Sequence, residues 1–171
     1  MLEVLVVLAL LVIIAALVVP AATSIFSGQQ LRNSGDVIRA RFADCRVRAI
    51  RTGDIYGFFY KPGEGNYWIA PVSTGFQALA GNAVVPRQFT LENDVKFVAG
   101  ETMHDSRSRA ASEEIGRNFS EYRPVLFYPD GTSQDALVII ESRRGLRVQV
   151  QLRGLTGVAK RSMVRSNGAS R

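Results

Sequence analysis

Val4 to Val19 is an unbroken run of sixteen apolar residues, preceded by Leu2 and followed by Pro20-Ala21-Ala22. Glu3 is the only charged side chain in that stretch. As a helix, Leu2 to Ala22 spans about 30 Å, roughly one hydrocarbon core. A core helix of a soluble domain shows a polar face, and this run has none. A secretory hydrophobic region is shorter, follows basic residues and ends in a small-x-small site; no basic residue precedes this run. The pattern therefore predicts a retained membrane helix. From Thr23 to about Thr52 the pattern becomes helical and amphipathic. Leu31, Ser34, Ile38, Phe42, Cys45 and Ala49 recur at spacings of three and four, making one apolar-to-small face. Arg32, Arg39, Arg46 and Arg48 largely lie elsewhere on the wheel. Gly28 and Gly35 weaken the middle by about 1 kcal/mol each relative to Ala and, with Pro20, predict a bent or loosened helix. Gly53-Asp54 ends it.

The remainder reads as strands. Ile55–Tyr60 and Asn66–Ala70 are aromatic-rich runs on either side of the turn cluster Lys61-Pro62-Gly63-Glu64-Gly65. Arg87–Leu91 and Val95–Val98 flank Glu92-Asn93-Asp94. Val125–Tyr128 leads into Pro129-Asp130-Gly131, a strong turn signal, and Ala136–Ile140 follows. Arg147–Leu152 alternates Val148, Val150 and Leu152 with polar residues, as a half-buried strand does. Gly157–Lys160 is a final edge strand. Gly100 to Glu121 is charged and poor in apolar residues, which predicts a loop, and the tail after Met163 is polar.

Composition sharpens this picture. The 171 residues suit one domain, with 47% apolar and 21% charged residues, which argues against disorder, collagen and a polytopic membrane protein. The net charge is +6, and nearly all of its basic residues are Arg. A single cysteine, Cys45, excludes an intramolecular disulfide and a cysteine-based zinc site, and a single histidine excludes multi-His metal sites. Charge after the apolar run and none before it would place the C-terminal part in the cytoplasm by the positive-inside rule, unless a basic leader belongs upstream. Glu3 is either a functional intramembrane carboxylate or an interfacial acid favoured by the helix dipole.

The segment Leu2-Glu3-Val4-Leu5-Val6-Val7-Leu8-Ala9-Leu10-Leu11-Val12-Ile13-Ile14-Ala15-Ala16-Leu17 resembles the N-terminus of type IV pilins and type II secretion pseudopilins, and Pro20 falls where that family has its helix-kinking proline. The resemblance implies a basic leader ending in Gly and a mature Phe-Thr-Leu-Leu-Glu start. A prepilin peptidase cuts after the Gly, and the new N-terminus is methylated. Here Met1 stands where a Leu is expected, so the leader and the first mature residues are expected upstream. It also implies that Glu3 pairs with the N-terminal amine of a neighbouring subunit in the filament. Desolvation opposes such a pair, so its value lies in register and recruitment.

Leu126-Phe127-Tyr128-Pro129-Asp130-Gly131-Thr132, and later Val148-Gln149-Val150-Gln151-Leu152-Arg153-Gly154-Leu155-Thr156-Gly157, resemble the GspH/FimT group of minor pseudopilins, which share a Phe-x-Pro-x-Gly turn and a strand pair ending near Thr-Gly. Some FimT-type relatives bind DNA through a Gly-Arg-x-Arg motif. The corresponding Gly157-Val158-Ala159-Lys160-Arg161 lacks the first arginine. Arg153, Lys160, Arg161 and Arg165 are the candidate DNA or anion contacts, the alternative being a solvated or subunit-facing basic surface.

Catalytic signals are weak. His104-Asp105-Ser106 are adjacent, and triads are recognised by spatial geometry, not adjacency. Cys45 on the apolar face reads as a small buried hydrophobe. Gly63-x-Gly65 lacks the context of a dinucleotide site, and Asn118-Phe119-Ser120 is a sequon common by chance. No enzymatic activity and no cofactor are expected.

The expectation is thus an α+β, pilin-like fold, its long N-terminal helix packed on antiparallel sheet. Residues 1–22 would form the transmembrane and filament-core half, 23–53 the amphipathic half, 54–163 a β-rich periplasmic domain and 164–171 a frayed tail. The resemblance implies a minor pseudopilin at or near the tip of a type II secretion pseudopilus, anchored in the bacterial inner membrane. Its partners would be other pseudopilins or pilins, the inner-membrane assembly platform and prepilin peptidase, with a cytoplasmic ATPase driving assembly. The alternative is a FimT-like minor pilin that binds DNA in natural transformation.

Overall fold

The computed structural model of the chain describes residues 2–74, 88–92, 94–103 and 123–164, without the side chains of Leu2, Leu5, residues 15–27 and Arg123. A single helix, α1 (Leu2–Thr52), precedes eight strands: β1 (Tyr56–Tyr60), β2 (Asn66–Pro71), β3 (Gln88–Thr90), β4 (Val95–Thr102), β5 (Arg123–Phe127), β6 (Ala136–Ser142), β7 (Arg147–Arg153) and β8 (Val158–Val164). Each strand lies on a run predicted from the sequence. α1 stops where expected: Gly53, at φ +77°, donates its N–H to the Ala49 carbonyl at 3.0 Å, a cap that glycine makes without steric cost.

The strands form two antiparallel four-stranded sheets, ordered β3-β2-β1-β5 and β4-β6-β7-β8. Backbone bonds join them at both ends. The β1–β2 turn docks on β4, with Gly63 N–H donating to Phe97 O at 2.6 Å and Phe97 N–H to Glu64 O at 2.9 Å. Between β5 and β6, the buried Gln134 side chain accepts from Leu126 N–H at 3.1 Å, while its own backbone N–H donates to Leu126 O at 2.9 Å.

The second half of α1 closes the core against both sheets. Leu31, Ser34, Ile38, Phe42, Cys45 and Ala49, the face read from the 3.6-residue period, are all buried. Phe42 sits at the centre, edge-on to Phe58 with ring centroids 5.1 Å apart and tilted to Phe127 at 5.7 Å. From the second sheet, Val138, Ile140, Val148, Val150 and Leu152 complete the same cluster.

Two expectations need correction. The loop predicted from Gly100 does not start there, because β4 continues through Thr102; residues 104–122 lie outside the described residues. A bulge between Phe97 and Ala99 turns Val98 and Ala99 outward in succession and returns Gly100 to the interior. The inward position is then a glycine, because the Tyr60 hydroxyl occupies the place its Cβ would take. A broken alternation that resumes on a residue without a side chain carries no strand signal.

Nor is Gly35 simply a weak point in the helix. α1 runs from Leu2 to Thr52 without interruption, and Gly35 is where it approaches the second sheet. A Cβ there would lie 3.0 Å from Val148 Cγ1 and 2.9 Å from Arg161 Cδ, whereas nothing lies within 4 Å of one at Gly28. Gly28→Ala should stabilise the chain by about 0.5–1 kcal/mol through helix propensity. Gly35→Ala should destabilise it by about 1 kcal/mol or more, because buried Val148 cannot move aside. Denaturant midpoints of the full chain in detergent micelles test this; midpoints shifted upward alike by both substitutions would contradict it.

Candidate functional site

The first half of α1 differs physically from the second. Glu3 lies in its first turn and is exposed. Nine apolar side chains between Val4 and Ile14 are each 51–64% exposed. They point in every direction around the helix, so no face of it is polar. Folded soluble chains rarely leave so continuous an apolar surface uncovered, and covering the exposed part of each side chain yields about 1 kcal/mol or somewhat more. Among the described residues no helix is long and apolar enough to cross a membrane. The expected span therefore rests on the sequence run to Val19, whose last five side chains, with that of Pro20, lie outside the described residues.

The candidate anion contacts do not form one patch. β7 and β8 pair Arg153 with Val158, Gln151 with Lys160 and Val150 with Arg161. The two-residue period of a strand then places Arg153 and exposed Lys160 on the outer face of the second sheet, and Arg161 on the helix-facing side. Arg161 Nε lies 3.4 Å from Asp36 Oδ1, and its side chain packs on Gly35. The same carboxylate is 3.3 Å from Arg39 Nη1, and Arg39 Nε donates to Ala159 O at 3.1 Å. Arg161 thus ties β8 to α1. On the outer face, Arg147 is paired with Glu141 at 2.8 Å, which lowers the local positive charge. Arg165 lies outside the described residues.

The two C-terminal segments that carry the subgroup resemblance meet at one helix residue, Arg46. The β5–β6 turn closes through Gly131 N–H donating to Tyr128 O at 3.0 Å, and Asp130 Oδ1 accepts the Thr132 N–H at 2.9 Å. The β7–β8 turn closes through Gly157 N–H donating to Arg153 O at 2.8 Å. Ser133 N–H donates to Gly154 O at 2.7 Å, and Gly154 N–H to Asp135 Oδ1 at 2.8 Å, joining the two turns. Arg46 Nε donates to Gly131 O at 2.8 Å, and its Cδ lies where a Gly157 Cβ would come within 2.7 Å. Gly131 and Gly157 both have positive φ, at +81° and +61°, so glycine is needed at each for conformation and at Gly157 for space as well.

Other candidates resolve simply. Cys45 is fully buried in the core cluster, and burial pushes its thiol up, away from the reactive thiolate form. Gly63 and Gly65 shape the turn that docks on β4. His104, Asp105 and Ser106, and the sequon at Asn118, lie outside the described residues. Among the described residues no cluster of three or more metal-ligating side chains occurs.

Removing the Arg46 side chain should loosen both turns together. Arg46→Ala is expected to cost about 1–3 kcal/mol, from a charge-assisted bond and lost packing. It should speed amide exchange at Gly131 and Gly157 in parallel. Faster exchange at one turn alone would contradict the coupling.

No protein-family model matches the sequence, and no curated protein matches it. Solved structures do. Two structures of the minor pseudopilin EpsH from the type II secretion system of Vibrio cholerae share the architecture, each covering 81% of this chain and 98% of its own. One has a TM-score of 0.50 at 9% identity, the other 0.52 at 12% identity. At such identities the likeness is one of fold: the chain has the α+β, pilin-like fold of a minor pseudopilin, an N-terminal helix packed on antiparallel sheets.

Proposed function

We propose that this chain is a minor pseudopilin of a type II secretion system, a structural subunit without catalytic activity that supports protein secretion at or near the tip of a short periplasmic pseudopilus. The observation that carries the reading is the division of α1. One face of the second half is buried by the chain's own sheets, whereas the described side chains from Val4 to Ile14 are apolar on all sides and exposed. Such a helix needs lipid before assembly and other helices after it. In this reading residues 1–22 lie in the inner membrane, residues 54–163 form the periplasmic domain, and the subunit is extracted into a filament of other pseudopilins. The assembly platform and its ATPase drive that extraction, after prepilin peptidase has processed the leader. Glu3 sits at the exposed start of this helix, where a carboxylate can pair with a neighbour's N-terminal amine and set register.

DNA uptake as a FimT-like minor pilin is the second reading. It draws on exposed Arg153 and Lys160, but has less charge to work with, because Arg161 is occupied with Asp36. Salt-sensitive retardation of duplex DNA by the full chain, lost in Lys160→Ala, would favour it over secretion.

On the pseudopilin reading, Glu3→Ala leaves the β-rich domain folded, with an unchanged proteolysis pattern, and sharply lowers the amount of the chain in sheared pseudopili. Incorporation at the wild-type level would refute the role of Glu3.

A further inference from the structure

A cleft of about 430 Å³ opens between the second half of α1 and the β3–β2 edge of the first sheet, lined among the described residues by Arg41, Arg48, Ile69 and Phe89. Its two cations differ in their commitments. Arg48 Nε is 3.0 Å from Asp44 Oδ1, one turn back on the helix. Arg41 has no carboxylate among the described residues. Its guanidinium stands 4.2 Å from the Phe89 ring centroid, and its Nε reaches the Tyr67 hydroxyl at 3.4 Å. That bond is long, so among the described residues most of the five guanidinium donors of this half-buried side chain have no protein partner. A charged group taken partly out of water in this way is matched best by a carboxylate, in the forked geometry that Arg favours.

The walls narrow the ligand class. Ile69 offers an apolar surface beside the guanidinium, which suits an acidic residue with an apolar neighbour. A nucleic-acid base finds no platform, because Tyr67 stacks on Phe89 at 5.5 Å and 22° while Arg41 covers the ring as well. The segment between β2 and β3, residues 75–87, contains no Asp or Glu and cannot supply the carboxylate itself. Charge complementarity points outward too. At the cleft Arg41 and Arg48 are met by one described carboxylate, Asp44, which is held by Arg48, so a partner seated there gains by being acidic.

We propose that this cleft is a docking site for an Asp or Glu side chain with an apolar neighbour, presented by an adjacent subunit of the filament, and that Arg41 is its anchor. The inference rests on the pseudopilin reading above and adds to it a named contact and the chemistry of the partner.

The test uses the full chain in cells that carry the secretion system. Arg41→Glu and the neutral Arg41→Gln should each lower the amount of chain in sheared pseudopili at least about tenfold, the scale of one lost charge-assisted hydrogen bond. Arg41→Lys keeps the charge but not the fork, so its incorporation should fall between the wild type and Arg41→Gln. A photo-cross-linking residue in place of Ile69 should give an adduct on a neighbouring pseudopilin, at a peptide containing Asp or Glu. Replacing that acid by Arg should restore Arg41→Glu. If Arg41→Glu is lost to proteolysis, Arg41→Gln decides the matter. Wild-type incorporation of Arg41→Gln would overturn the cleft proposal alone. So would an adduct to this chain's own residues or to nucleic acid. Failure of the wild-type chain to enter pseudopili would overturn the filament reading and the docking site with it.

Discussion

A single helix has to satisfy two surroundings, and the rest of the architecture follows from that. From Leu31 to Ala49 one face of α1 is buried at the junction of two sheets, and away from it polar residues such as Asn33 and Arg51 are exposed to water. From Val4 to Ile14 the same helix has no polar face to offer water. The buried face orients the helix against the sheets, and the bare half extends from that base. Neither sheet closes a core alone: Phe42 fills the space against Phe58 and Phe127 of the first sheet, while Ile38 and Leu31 share a cluster with Val148 and Val150 of the second. Large-to-small changes in such a core cost several kcal/mol, so loss of the helix face would separate the sheets as well as release the helix.

Arginine does much of the joining around this core, and each residue does it differently. Arg46 binds a carbonyl of one turn and packs on another. Arg161 holds the edge strand β8 to the helix through Asp36. Arg48 is held by Asp44, whose hydrogen bond raises its already high affinity for a proton. A sequence count treats these as one basic surface. In the fold they are separate attachments, and the positive charge left for partners is confined to a few side chains, among them Arg41 and Lys160.

Much of the fold was legible because its periods are clean. The buried helix face follows the spacing of Leu31, Ile38, Phe42, Cys45 and Ala49, and β7 follows the alternation of Val148, Val150 and Leu152. What was not legible depended on contacts distant in sequence. The end of β4 was hidden by a bulge and by Gly100, whose reason for being glycine is Tyr60 on another strand. Gly35 reads as a helix weakness until Val148 and Arg161 are seen against it. Adjacent Lys160 and Arg161 look alike in sequence, yet the strand pleat sends one to solvent and the other to Asp36. The meeting of Arg46 with two turns more than eighty residues away leaves no local trace beyond the two glycines that accommodate it.

The central claim is that the bare half of α1 is covered by lipid or by other helices wherever the protein works. Labelling of a cysteine by a membrane-impermeant maleimide tests it directly, using Leu11→Cys in a Cys45→Ala background and Leu155→Cys as an exposed control. Leu155 is 90% exposed at the β7–β8 turn. The account predicts that Leu11→Cys stays unlabelled in intact membranes and in sheared filaments, while Leu155→Cys reacts in both. Labelling of the two at similar rates before detergent is added would contradict it.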